Sequence, residues 1–206
     1  MDLRKSIGVF ALTVLLLTAS VVSSQAQSSL QLGIKAGTDY MKIGGRSFDG
    51  KHYPGFAAGF YGKLNFTSKW SLQPELDYNQ TIGKTSDLFN QIYHGASEAQ
   101  VNLNYVAVPI LIVYKPQPWL SLMLGPQYGY LFSQTENLLP LSPNTKVFQK
   151  SDVAIVFGGQ INFEKMIFGI RYSANLNNIS YQTTDTWRQY GYQFYVGYQF
   201  KDKKLK

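Results

Sequence analysis

The sequence predicts an all-β fold: an eight-stranded antiparallel up-and-down transmembrane β-barrel, with short turns at one end and long loops at the other. Three observations carry that expectation. Apolar side chains recur at every second position in eight segments, the pattern of strands with one oily face. The connections between these segments alternate long and short without exception. Beyond the first residues, no stretch offers the ~18 consecutive apolar residues of a membrane-crossing helix, yet aromatic residues make up 15% of the chain.

The first segment, "LQLGIKAGTDY", sets Leu32, Ile34 and Ala36 against Lys35 and Asp39. In "GFAAGFYGKLNF", Phe56, Ala58, Phe60, Leu64 and Phe66 oppose Tyr61 and Lys63. "WSLQPELDY" alternates Trp70, Leu72, Leu76 and Tyr78 with Ser71, Gln73, Glu75 and Asp77. The fourth, "VNLNYVAVPILIVY", is apolar on both faces, so its facing stays open: with Val106, Val108, Ile110, Ile112 and Tyr114 outward, Tyr105, Ala107, Pro109, Leu111 and Val113 line an apolar strip of lumen. "WLSLMLGPQYGYLF", "DVAIVFGGQINF" and "MIFGIRYSANL" follow, the last placing Arg171 opposite Phe168, Ile170 and Tyr172. The eighth runs from Tyr190 through Tyr192, Phe194, Val196 and Tyr198 to Phe200, with Gly191, Gln193, Gly197 and Gln199 between.

Of the connections, "TSK", "KPQP" and "EK" are short, while "MKIGGRSFDGKHYP", "NQTIGKTSDLFNQIYHGASEAQ", "SQTENLLPLSPNTKVFQKS" and "NNISYQTTDTWRQ" are long. Outer-membrane barrels combine short periplasmic turns with long extracellular loops. A soluble lipocalin-like barrel would turn its apolar face inward around a ligand, and its outside would then have to include the Gly, Ser and Gln positions, with few charges to solvate it.

Residues 1–26 read as a signal peptide: Arg4 and Lys5 precede the apolar run 7–17, and Ser24 and Ala26 are spaced for cleavage after Ala26. The run is about half of what a spanning anchor needs. The barrel domain is then 27–206. Removing Asp2, Arg4 and Lys5 leaves 17 basic and 11 acidic residues, a net charge of +6. The terminal "KDKKLK" reads as a solvated tail, and without an accompanying motif the charge points to no nucleic-acid partner. The absence of cysteine excludes disulfide scaffolds, thiolate metal sites and cysteine nucleophiles.

In lipid the backbone must satisfy its own hydrogen bonds, which permits a closed barrel and forbids an open edge. Outward aromatics then belong at the two interfaces. Phe66, Trp70, Trp119, Phe163, Tyr198 and Phe200 are expected at the periplasmic one, and Tyr40, Tyr78, Tyr130, Tyr190 and Tyr192 at the outer one. The inward charges Lys35, Lys63 and Arg171 balance Asp39, Glu75 and Asp77. Glu75 and Arg171 are expected to pair centrally with Lys35 nearby; the alternative is that strand shear separates them.

"LQPELDY", "LNYVAVPILIVY", "MIFGIRYSANLNNI" and the terminal "YQFYVGYQF" together resemble the PorT-like family of small outer-membrane β-barrels of Gram-negative bacteria. The resemblance covers essentially the whole mature chain and implies location and fold more than activity. Glu75 matches the family's Gln-Pro-Glu-Leu position. Where that pattern resembles Tyr-Leu-Glu-Ile-Pro, this chain has Ala107, one carboxylate fewer.

His52 and His94 are the two histidines, with Asp49, Asp87, Glu98 and Ser97 nearby in sequence, but no hydrolase or metal-ligand spacing accompanies them. No catalytic residue, metal or cofactor is expected. Trp187 beside Arg188 is expected on the surface, as a membrane anchor or as a stacking platform for a sugar or partner. The expected function is a nonenzymatic integral barrel with a largely side-chain-filled lumen, acting through its extracellular loops in envelope structure or partner binding. A passive small-solute channel is the alternative, and a surface hydrolase the third reading. Expected partners are outer-membrane lipid, the barrel-assembly machinery through the C-terminal strand, and an envelope or extracellular protein.

Overall fold

The computed structural model describes residues 29–93, 98–135, 147–181, 185–200 and 203–204. The expected signal peptide lies outside them. Eight long strands follow one another: β1 Ser29–Gly44, β2 Tyr53–Asn65, β3 Trp70–Lys84, β4 Gln100–Gln117, β5 Leu120–Gln134, β6 Ser151–Phe163, β7 Met166–Asn175 and β8 Arg188–Gln199. Each pairs antiparallel with its sequence neighbours, and β1 closes the ring against both β2 and β8. A two-residue strand, β9 Lys203–Lys204, pairs with Ser29 and Leu30.

The alternation in the sequence becomes two faces. Leu32, Phe56, Phe60, Leu76, Ile112, Leu124, Phe157, Ile161, Phe168 and Phe194 are all exposed on the outside. An apolar surface of this extent, continuous around the barrel, is incompatible with water as its solvent. Inside lie Lys35, Asp39, Lys63, Glu75, Asp77 and Arg171, each no more than 5% exposed. The facing of β4 is settled: Tyr105, Ala107, Leu111 and Val113 are buried inward, while Val106, Val108 and Ile112 are exposed.

That inward strip has packing partners. Leu111 and Val113 cluster with Met123 of β5 and Val156 of β6. Prolines interrupt the ladder: the β4–β5 register passes from Pro109↔Gln127 to Ile112↔Leu124, consistent with a residue that cannot donate. Two glycines make room for rings crossing the lumen. A Cβ on Gly33 would lie 2.2 Å from the Tyr61 ring, and one on Gly169 would lie 2.1 Å from the Tyr195 ring.

The three short connections, 66–69, 118–119 and 164–165, are at one end. At the other, several strands extend beyond the ends their alternation indicated: β1 continues to Gly44 and β3 to Lys84. The reason is that Met41, Ile43 and Thr81 still have buried inward positions to fill there. The connection after β3, read from sequence as loop, contains a short helix, α1 Asp87–Tyr93. Phe89, fully buried, anchors it, and its amide donates to the Ser86 carbonyl at 3.1 Å.

Candidate functional site

The lumen is layered, and each layer is built from inward positions of several strands. Near mid-height Arg171 of β7 reaches across to Glu75 of β3 in a bidentate pair, with Nη1 donating to Oε2 at 2.6 Å and Nη2 to Oε1 at 2.7 Å. Lys35 of β1 donates to Glu75 Oε2 at 2.5 Å and to Asp77 Oδ2 at 2.8 Å. The flat guanidinium matches the carboxylate fork, and its carbon lies 4.6 Å from the centre of the Tyr195 ring. Gln73 Nε2 adds a hydrogen bond to Glu75 Oε1 at 2.6 Å. The layer carries two positive and two negative groups, so the low-dielectric interior holds no uncompensated charge there.

Four of the six charged residues singled out in the sequence therefore meet. The other two lie to either side of this layer. Asp39 lies on the extracellular side, accepting from Gln193 Nε2 at 2.8 Å. Lys63 lies at the periplasmic end, its Nζ 6.0 Å from the Tyr61 ring centre.

A seventh inward charge, Asp152 of β6, accepts a hydrogen bond from Asn175 Nδ2 and is buried. It opens the segment "DVAIVFGGQINF", where the sequence reading placed no charge on the inward face, yet its parity with Ala154 and Val156 marks it as inward. Asp39 and Asp152 border a small cavity of about 30 Å³ above the charge layer, together with Asn79, Asn175 and Gln193. Ala107, in place of the carboxylate of the resembled pattern, pairs across the sheet with Asp77.

Above that cavity the lumen is roofed. Thr81 Oγ1 donates to Gln189 Oε1 at 2.8 Å, and Gln189 Nε2 donates to the Tyr105 hydroxyl at 2.6 Å. Over this polar floor sits an apolar core to which each of the four long connections sends an aromatic side chain: Phe48, Phe89, Phe148 and Trp187. Trp187 is its centre, with ring centroids 5.0 Å from Phe48 in an edge-on arrangement, 5.4 Å from Phe148 and 6.2 Å from Phe89. Ile43, Val101, Leu103 and Leu131, at the outer ends of their strands, complete it from below.

Trp187 thus corrects the expectation of a surface tryptophan: it is 0% exposed. Its indole N–H donates to Asp185 Oδ2 at 3.1 Å, and the Ser47 hydroxyl donates to the same oxygen at 2.9 Å. These bonds tie the last long connection to the first. Burial raises the Asp185 pKa, but the donors from Ser47 and Trp187 outweigh it and hold the carboxyl below its ordinary value. Arg188, the neighbour of Trp187, is exposed.

The outward aromatics sit as two sets. Trp70, Trp119, Phe163, Tyr198 and Phe200 are exposed around the short-turn end, with Phe66 half-buried beside them. Tyr40, Tyr130 and Tyr192 are exposed toward the long-loop end, with Tyr78 and Tyr190 half-buried. His52 stacks on Tyr40 at 5.3 Å; desolvation first, and the nearby Lys42 charge second, lower its pKa and favour the neutral ring. Asp49 is engaged by the Tyr53 hydroxyl at 2.5 Å and the Lys51 amide at 3.1 Å. His94 and Ser97 lie outside the described residues.

A closed ring of antiparallel strands with an apolar belt outside and a packed lumen inside defines an integral β-barrel of the outer-membrane class. The chain belongs to the family described as "Outer membrane protein beta-barrel domain", whose model matches residues 24–181. No curated protein matches it. Among solved structures it is similar to Ail, the attachment invasion locus protein of Yersinia pestis, at 16% identity over 86% of this chain and 100% of that one, with a TM-score of 0.43. It is also similar to OprG from Pseudomonas aeruginosa, at 14% identity, 87% and 98% coverage and a TM-score of 0.44. A third is Neisserial surface protein A, at 13% identity, 84% and 97% coverage and a TM-score of 0.45.

Proposed function

We propose that this chain is a nonenzymatic outer-membrane barrel whose lumen is closed and whose work is done by the extracellular loops, in envelope structure or in holding a partner. The observation that carries the proposal is the loop core around Trp187: the described parts of the four long connections meet in one apolar cluster, which supports a preorganised surface. The charge layer around Glu75 supports the closed lumen independently, since a bidentate buried pair would have to be broken to pass an ion. The lumen charges Lys35, Asp39, Lys63, Glu75, Asp77 and Arg171 are read as structural groups, and the two aromatic sets as interface girdles.

The finer reading keeps the PorT-like resemblance of "LQPELDY" and the terminal strand, a signal peptide cleaved after Ala26, and recognition of the C-terminal strand by the barrel-assembly machinery. The test is solute flux. Liposomes carrying the purified barrel are expected to swell in a small sugar no faster than empty ones; rapid swelling would replace this reading with that of a passive channel.

A further inference from the structure

The outward faces of the strands carry charge of one sign and at one end. The acids of the eight strands, Asp39, Glu75, Asp77 and Asp152, all point into the lumen. The cations that alternation turns outward are Lys42 on β1, Lys84 on β3 and Arg188 on β8. Each stands at or next to the long-loop end of its strand.

Two of these cations share one seam. β1 pairs with β8 so that Lys42 stands opposite Tyr190, and Gly44 opposite Arg188. Lys42 Nζ lies 4.6 Å from the centre of the Tyr190 ring, within cation–π range. That ring takes the space a side chain at position 44 would need: a Cβ on Gly44 would lie 2.9 Å from a ring carbon of Tyr190 and 3.1 Å from its hydroxyl oxygen. The hydroxyl is thereby carried from Lys42 toward Arg188, whose side chain is exposed. One step nearer the hydrocarbon, Tyr40 stands opposite Tyr192, both exposed on the outside.

An ammonium, a phenol hydroxyl and a guanidinium thus follow one another just beyond a tyrosine pair of the outer girdle, at the height of lipid headgroups. A phosphate can accept from all three, and the guanidinium fork suits it best. The acids closest in sequence are engaged elsewhere: Asp49 by Tyr53 and Lys51, Asp185 by Ser47 and Trp187. Asp87 and Glu98 belong to the β3–β4 connection. Glu136, the one acid of the long connections outside the described residues, follows β5 in the chain, and β5 stands four strands from β1. Below the tyrosines the same two strands offer Ile34, Phe194 and Val196 to acyl chains.

We propose that Lys42, Tyr190 and Arg188 clasp the phosphate of an acylated sugar lipid of the outer leaflet, a lipid of the lipid A kind. The proposal rests on the outer-membrane reading with the long loops outward; the closed lumen is tested separately by solute flux, so either can fail alone. The full chain recovered from outer membranes is delipidated in a nonionic detergent and titrated with lipid A, with lipid A stripped of its phosphates, and with phosphatidylglycerol, bound lipid being counted by native mass spectrometry. Lipid A is expected to bind about tenfold or more tightly than its dephosphorylated form, as two cations near a membrane surface provide, and more tightly than phosphatidylglycerol. Lys42→Gln/Arg188→Gln is expected to lose that preference. Lys165→Gln, at the short-turn end, is expected to keep it.

Equal binding of lipid A and its dephosphorylated form would overturn the proposal. So would phosphatidylglycerol binding as tightly as lipid A, which would show a general attraction for anionic lipid, or a folded double variant with the parent's preference. Should the double variant not recover the barrel's heat-modifiable gel mobility, Arg188→Gln alone serves, with a loss of about threefold expected from one removed charge-assisted contact. Unchanged preference in a folded Arg188→Gln barrel would equally overturn the proposal.

Discussion

Arg171 and Glu75 show what a lumen demands of single residues. Taking either away leaves the other charged, buried and without its main partner, a change that costs about 3–5 kcal/mol. Arg171→Met is therefore expected to lower the urea midpoint of the barrel in lipid vesicles by that equivalent. Glu75→Ala should do the same, and the two together should cost clearly less than the sum of the singles, because the pair is coupled. Additive losses would show that the contact contributes nothing. A smaller residue matters for a different reason: Gly169→Ala drives a methyl into the Tyr195 ring, 2.1 Å from its Cζ, and is expected to destabilise by roughly 1–3 kcal/mol, as overpacking does. Parity along each strand makes these residues readable as inward from sequence alone. What parity cannot show is stagger, which decides that Lys63 sits at the mouth while Lys35 reaches Glu75.

At the scale of elements, the strands and their short turns were legible because period-two alternation and turn length are local. The loop core was not. Phe48, Phe89, Phe148 and Trp187 come from four connections separated by whole strands, and nothing in "TTDTWRQ" reveals that its tryptophan points inward. The signal available was the apolar character of Val101, Leu103 and Tyr105 on the inward face of β4, which needs a partner above the polar lumen. Trp187→Ala is expected to cost about 3–5 kcal/mol of that core, seen as protease cleavage of loops that resist it in the parent, while the heat-modifiable barrel persists. The Ser47–Asp185–Trp187 bonds add a pH dependence. The carboxyl is held below its ordinary 3.8, so its contribution is complete above that value and is lost as pH falls through the depressed one. Acrylamide should begin to quench Trp187 below about pH 4 in the parent. In Asp185→Asn the same quenching should already be present at neutral pH; a parent and variant indistinguishable at every pH would remove the latch from the account.

For the whole molecule, one arrangement follows from the medium on either side of the sheet. Hydrocarbon outside accepts Phe56, Phe60, Ile112 and Phe194, and forbids an open edge, which β1 meets by pairing with both β2 and β8. Inside, eight strands leave space that side chains can fill, and here they do so in sequence: charge layer, acid-lined cavity, aromatic roof. In the proposed function the closure is double, because the charge layer and the roof share no residue. Single-channel recording in planar bilayers tests this most directly. The parent barrel is expected to stay electrically silent, and so is Trp187→Ala, whose charge layer remains intact. Steady nanosiemens-scale steps from the parent would contradict the closed lumen outright.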